Sequence, residues 1–217
     1  PMMAAVGDPL FEYLLRLGDN DLILGHRLSE WCGHGPVLEE DIAISNIALD
    51  LIGQASLWLD LAAEVECAGR STDELAYKRD VLDWRNTILV EQPNGDFAVT
   101  MTRQFLFDCH HHALLTALLE STNTDVAAVA EKALKEVTYH RRHSGEWLIR
   151  LGDGTEESHG RAQTALDNLW VFTHELFEAD GVDHAVVAAG TGVDPAHRKA
   201  AWDAMVNPVL AEAALQR

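Results

Sequence analysis

The sequence predicts an all-α fold. Apolar residues recur at spacings of three and four through long stretches, strict apolar/polar alternation is rare, and the Gly-, Pro- and Asn-rich breaks fall between those stretches. With 217 residues, 47% of them hydrophobic, the chain is expected to form one domain over residues 1–217 with a sizeable core.

The first helix is expected from about Asp8 to Cys32: Leu14, Leu17, Leu24, Leu28 and Trp31 share one stripe, and Gly33-His34-Gly35-Pro36 ends it. A second begins near Glu39-Glu40-Asp41, whose carboxylates suit the positive end of the helix dipole, and runs to Cys67 before Gly69. A shorter, charge-rich helix is predicted from about Thr72 to Leu89, leading into the turn signals of Glu91-Gln92-Pro93-Asn94-Gly95-Asp96. Two long helices, about Phe97 to Glu120 and Asp125 to Leu151, flank Ser121-Thr122-Asn123-Thr124, whose side chains favour caps. After Gly152-Asp153-Gly154-Thr155, another helix from about His159 to Ala179 ends at Asp180-Gly181. Asp194-Pro195 then supplies the N-cap and first-turn proline of a last one. Four helices of about 37 Å, joined two by two around a longer middle connection, suggest a ferritin-like bundle with additional C-terminal helices. Periodicity alone fits a helical array or another bundle connectivity equally well, although no repeat of roughly 30 to 45 residues is visible.

The formal charge of −19, from 35 acidic and 16 basic residues, argues against nucleic acid and anionic membrane surfaces as partners. Cys32, Cys67 and Cys109 are far apart, so neither a disulfide framework nor a C-x-x-C metal site is expected, which suits a reducing cytoplasm. Pro1-Met2-Met3-Ala4-Ala5 lacks the charged and apolar regions of a signal peptide. The greasiest region, Ile42 to Val65, is interrupted by Asn46, Asp50, Gln54 and Asp60, which argues against a membrane span. No G-x-S-x-G, phosphate-binding glycine loop or dinucleotide fingerprint occurs.

A ferritin-like di-iron centre needs one inward carboxylate from each of two helices and a Glu-x-x-His from each of the other two. Asp21 lies on the apolar stripe of the first helix and can point inward. The second helix has no histidine, and Asn46 with Leu49 occupies an i, i+3 pair that offers iron neither carboxylate nor imidazole. In the next long helix Asp108 shares a stripe with Met101, Phe105 and His112, with His111 three residues on; a buried Asp108–histidine hydrogen bond is the expectation there. His110, His111 and His112 fan out over roughly 200°, so all three cannot address one ion. The following helix offers Glu136 and His140 at i, i+4, with Tyr139 where an i, i+3 histidine would stand. The only literal Glu-x-x-His, Glu156 to His159, is expected in a glycine-rich connection without fixed geometry. These residues describe a di-iron scaffold without its irons, so no catalytic, cofactor or metal ligand is assigned; Asp21, Asp108, His111, His112, Glu136 and His140 are vestigial or fallback positions.

Several long strings carry a resemblance. They are Tyr13-Leu14-Leu15-Arg16-Leu17-Gly18-Asp19 continuing to His26-Arg27-Leu28-Ser29-Glu30-Trp31-Cys32-Gly33-His34, and Asn46-Ile47-Ala48-Leu49-Asp50-Leu51-Ile52-Gly53-Gln54-Ala55. Val90-Glu91-Gln92-Pro93-Asn94-Gly95-Asp96-Phe97, Lys135-Glu136-Val137-Thr138-Tyr139-His140 and Trp170-Val171-Phe172-Thr173-His174-Glu175-Leu176-Phe177 follow in the same order. In these the chain resembles the C subunits of the ring-1,2-phenylacetyl-CoA epoxidase family, over about residues 10 to 210. The resemblance implies a ferritin-like, non-catalytic structural subunit of a multicomponent di-iron monooxygenase. A related catalytic A subunit would hold the iron, a small B subunit and a reductase would complete the system, and one oxygen atom of O2 would enter the aromatic ring of phenylacetyl-CoA. Members of that family continue past the region matching Ala211 to Arg217.

Two other functions remain open on the residues alone. One is a bundle with its own atypical metal site built from Asp21, Asp108, His111 or His112, Glu136 and His140. The other is a module recruiting an anionic CoA thioester through Arg103, Arg141, Arg142 and Arg150.

Overall fold

A computed structural model describes residues 7–217; the reading of residues 1–5 as no signal peptide lies outside the described part. The described chain is helical throughout. Helix α1 (Pro9–Ser29) opens on Asp8, whose carboxylate accepts from the Leu10 N–H, and α2 (Leu38–Glu66) begins with the three acids seen in the sequence. The two pack antiparallel at close range because α1 presents glycine. A Cβ on Gly18 would lie 2.8 Å from Leu59, and one on Gly25 would lie 2.9 Å from Ile52 and 3.2 Å from the Ala48 carbonyl.

The second antiparallel pair is α5 (Phe97–Leu118) with α6 (Thr124–Gly152), capped by Asp96 and Asn123 respectively. The pairs face each other through α2 and α6, and Trp31, at the end of α1, donates from its indole to Thr100 of α5 over 3.0 Å. Two clusters of buried apolar side chains fill the bundle, one around Phe105, Trp202 and Leu166, the other around Trp58, Leu115 and Val137. This is a ferritin-like helical arrangement, as the sequence predicts.

The middle connection differs from the expected helix over Thr72 to Leu89. It contains α3 (Thr72–Tyr77), a 3-10 turn (Val81–Asp83) and α4 (Ile88–Glu91). The reason lies in α1. Buried Asp19 accepts from the Arg79 guanidinium and, at 2.8 Å, from the Arg85 backbone N–H, while Asn20 accepts the Thr87 N–H at 2.8 Å. Peptide groups held by a neighbouring helix cannot also close i, i+4 bonds.

Helix α7 (Glu156–Trp170) starts three residues earlier than expected and tightens into 3-10 geometry over Val171–Phe177. Glu156 to His159 therefore form its first turn instead of a loop, with Thr155 as N-cap in a capping box with Ser158. A short helix that sequence periodicity does not reveal, α8 (Gly181–Ala188), precedes α9 (Pro195–Glu212). Among the described residues, by length and mean hydropathy of 1.4, α2 alone is apolar enough to cross a membrane. Its buried face packs on α1 and its inward polar residues are hydrogen-bonded to α6, which marks it as a core helix.

Candidate functional site

The interior between the helix pairs holds carboxylates, imidazoles and an amide, and those of α2 and α6 are engaged with each other. Because α2 and α6 run antiparallel, residues four apart on one meet residues four apart on the other. Gln54 Nε2 donates to Glu136 over 2.7 Å, and the His140 Nε2–H donates to Asp50 over 2.9 Å. Nearer the start of α2, His143 Nε2 meets Glu40 at 2.8 Å. Each contact joins a donor to an ionisable acceptor, so the two helices are bound by complementary chemistry as well as apolar packing.

Asp108 is completely buried and accepts from Gln104 Nε2 and Ser144 Oγ, both at 2.7 Å. The expected Asp108–histidine hydrogen bond is not formed: one turn back along α5, and across on α6, shorter donors reach the carboxylate first. Burial raises the Asp108 carboxyl from 3.8 to about 6, against the opposing pull of His140, Ser144 and Gln104.

On the α1 side Asp21 points inward, as its stripe predicts, and lies 3.5 Å from His111 Nε2. This is not an ion pair of the usual kind. Burial lowers the His111 imidazole from 6.5 to about 3, helped by the nearby charges of His140 and His112. Burial likewise pushes the Asp21 carboxyl well above its ordinary value, with Glu136 adding like-charge repulsion. The Trp58 indole works the other way, although its N–H falls short of a full hydrogen bond. Asp21 Oδ2 and His111 Nδ1 have no partner among the described residues.

The three histidines separate as their fan predicts. His111 turns to Asp21, His110 is buried against Phe107 and Phe177, and His112 is half-buried, with burial and Arg141 lowering its pKa. Asn46, Leu49 and Tyr139 do not stand where ligands would be: Leu49 is 66% and Tyr139 45% exposed, and Asn46 faces solvent. The inward positions of α2 are Ile47, Leu51, Gln54 and Trp58. Sequence reasoning thus missed the pairings of Asp50 and Gln54, whose signal was the matched four-residue spacing on α2 and α6.

The arginines expected to recruit a thioester do not converge. Arg103 is fully buried and donates to Asn94 and the Gln92 carbonyl, pinning the turn before α5. Arg142 and Arg150 share exposed Glu146, at 3.6 and 3.9 Å.

A di-iron pair does not fit this donor set. α2 offers an amide where an imidazole or carboxylate is needed, Glu136, His140 and Asp108 are each committed to other side chains, and among the described residues no three His, Cys, Asp or Glu side chains converge to hold a metal ion.

Residues 1–217 match the family described as phenylacetic acid catabolic protein. The chain is also 50% identical, over 206 residues, to the C subunit of the 1,2-phenylacetyl-CoA epoxidase of Escherichia coli strain K12, covering 95% of this chain and 83% of that protein. With a ferritin-like bundle, a match along its whole length and half its residues shared with an epoxidase subunit, the chain belongs to the phenylacetic acid catabolic protein family.

Proposed function

We propose that this chain is a non-catalytic structural subunit of a cytoplasmic multicomponent phenylacetyl-CoA epoxidase. It packs against a related catalytic subunit that holds the di-iron centre, with a small third subunit and a reductase completing the system. The observation that carries this reading is the cross-pairing of Gln54 with Glu136 and Asp50 with His140, which occupies the side chains that α2 and α6 would otherwise turn to a metal.

The outer face of α2 suits the docking role. Leu38, Ile42 and Leu49 lie on one stripe and are 71%, 52% and 66% exposed, and next along it Gly53 leaves open space where a side chain would stand. An apolar stripe on a core helix favours burial against a second protein.

Co-expression with a related subunit that does carry two Glu-x-x-His helices tests the proposal. The two chains should co-elute, ring oxygenation of phenylacetyl-CoA should need both, and Leu49→Asp should abolish co-elution while leaving the helical circular dichroism of the chain intact. Turnover by this chain alone, or a monomer indifferent to the partner, would overturn it.

A further inference from the structure

A cleft of about 280 Å³ opens between α1, α5, the 3-10 segment after α7, α8 and α9, away from the paired interior. Leu17, Leu114 and Leu176 give it an apolar wall; Tyr13, His110 and Arg198 give it a polar one.

The charges around it are matched with one exception. Arg16 binds Asp180 and Asp183, at 2.6 and 3.1 Å, and Arg85 binds Glu12 at 2.8 Å. Of the acids in the wall, Asp183 is held by Arg16 and by the Asp180 N–H, Glu175 accepts the Leu89 N–H at 3.1 Å, and Glu178 is exposed. Arg198 is only 7% exposed, yet its side chain makes no hydrogen bond or ion pair among the described residues, and its Nε is buried without a partner.

Two further orphaned polar atoms line the same cleft. The Tyr13 hydroxyl, which the Val193 N–H approaches without completing a hydrogen bond, has no acceptor, and His110 Nδ1 has no partner. All three side chains line this one cleft, and both groups feel the Arg198 charge. Burial holds the His110 ring neutral, and a neutral ring can place its one proton on Nδ1. A buried cation beside two unused donors, with no acid in direct contact and only the more distant charges of Asp183 and Asp194 opposing it, has the chemistry of a site for an anion.

We infer that this cleft binds a small organic monocarboxylate, its carboxylate on Arg198, Tyr13 and His110 and its apolar body on Leu17, Leu114 and Leu176. One unmatched positive charge suits one negative charge; a dianion would face Asp183, Glu175 and Glu178 without a second free cation among the described residues. The cleft is smaller than the pockets that enclose drug-sized molecules, so the body is a single ring or a short branched chain. The site does not depend on a partner subunit.

Benzoate is the probe, titrated calorimetrically into the full-length chain, with benzamide as its neutral isostere and inorganic phosphate as the dianion. Saturable binding of one benzoate per chain is expected, weakened about tenfold or more by Arg198→Gln, more mildly by Tyr13→Phe, and about tenfold or more on exchange for benzamide. Without ligand, Arg198→Met should raise the melting midpoint, because it removes an unpaired buried charge. The inference fails if benzoate does not saturate the chain, if phosphate binds as tightly, or if neither variant weakens binding. It fails equally if Arg198→Met lowers the midpoint, which would mean that Asp183 or Asp194 already neutralises Arg198.

Discussion

The two sides of the bundle interior solve the same problem differently. Between α2 and α6, the inward side chains close full hydrogen bonds, Gln54 on Glu136 and His140 on Asp50, even though Gln54 Oε1, His140 Nδ1 and the Trp58 indole N–H stay unpartnered. Between α1 and α5, Asp21 and His111 approach to 3.5 Å but burial suppresses the charge of both, and each keeps an unpartnered atom. Position within the fold therefore does not decide whether a buried ionisable group stabilises; the supply of partners does. Asp50 shows why the first side works. Its side chain is 38% exposed, so the pair keeps one foot in water and avoids most of the desolvation that Asp21 suffers.

The contrast can be broken by substitution, and the largest effect is expected at His111. The unfolded chain takes a proton on this ring below pH 6.5, which the folded chain refuses down to about pH 3, so His111 makes stability climb with pH across that window. The climb amounts to about 5 kcal/mol at most, at about 1.4 kcal/mol per unit. His111→Gln should flatten it, measured as urea-unfolding free energy against pH.

Asp108 has the opposite sign. Above about pH 4 the unfolded carboxyl releases a proton that the folded one keeps until about pH 6, so stability falls as pH rises through that interval. Asp108→Asn should remove a fall of about 3 kcal/mol. Next in size is His140→Ala, which empties a fully buried position but leaves Asp50 able to hydrate; a loss of about 2 kcal/mol is expected. Asp21→Asn should be the mildest, within about 1 kcal/mol of the parent, since burial already favours the uncharged carboxyl. A large loss there would mean that Asp21 works as an anion and would erase the contrast between the two sides.

Most of the long helices are legible in the sequence because their starts are marked: Asn123 and Asp194 cap as the sequence suggests, and Asp8 and Asp96, which it places beside helix starts, act as caps too. The stretch from Lys78 to Thr87 is not, because Asp19 and Asn20, some 60 residues earlier, decide its path. Helix α8, at eight residues, is too short for its periodicity to stand out. In the site, the inward turn of Asp21 follows from four clean neighbours on its stripe. The phase of α2 does not follow, because that helix is apolar on two faces: Ile44, Ile47, Leu51 and Trp58 are buried, while Leu38, Ile42 and Leu49 are exposed. Periodicity cannot choose between a face meant for the core and a face free for a partner, and so it misplaces Asn46 and Leu49 in the interior. The same doubling of apolar faces is what suits α2 to the docking role proposed for it.

The proposed non-catalytic role requires the interior of this chain to be closed to a di-iron centre by its own hydrogen bonds. Iron content by mass spectrometry, on protein expressed in iron-supplemented medium and purified alone, tests it most directly. Well under one iron per chain is expected, with no change on Glu136→Ala or His140→Ala. About two irons per chain, with the absorption band of an oxo-bridged pair lost in both variants, would contradict it.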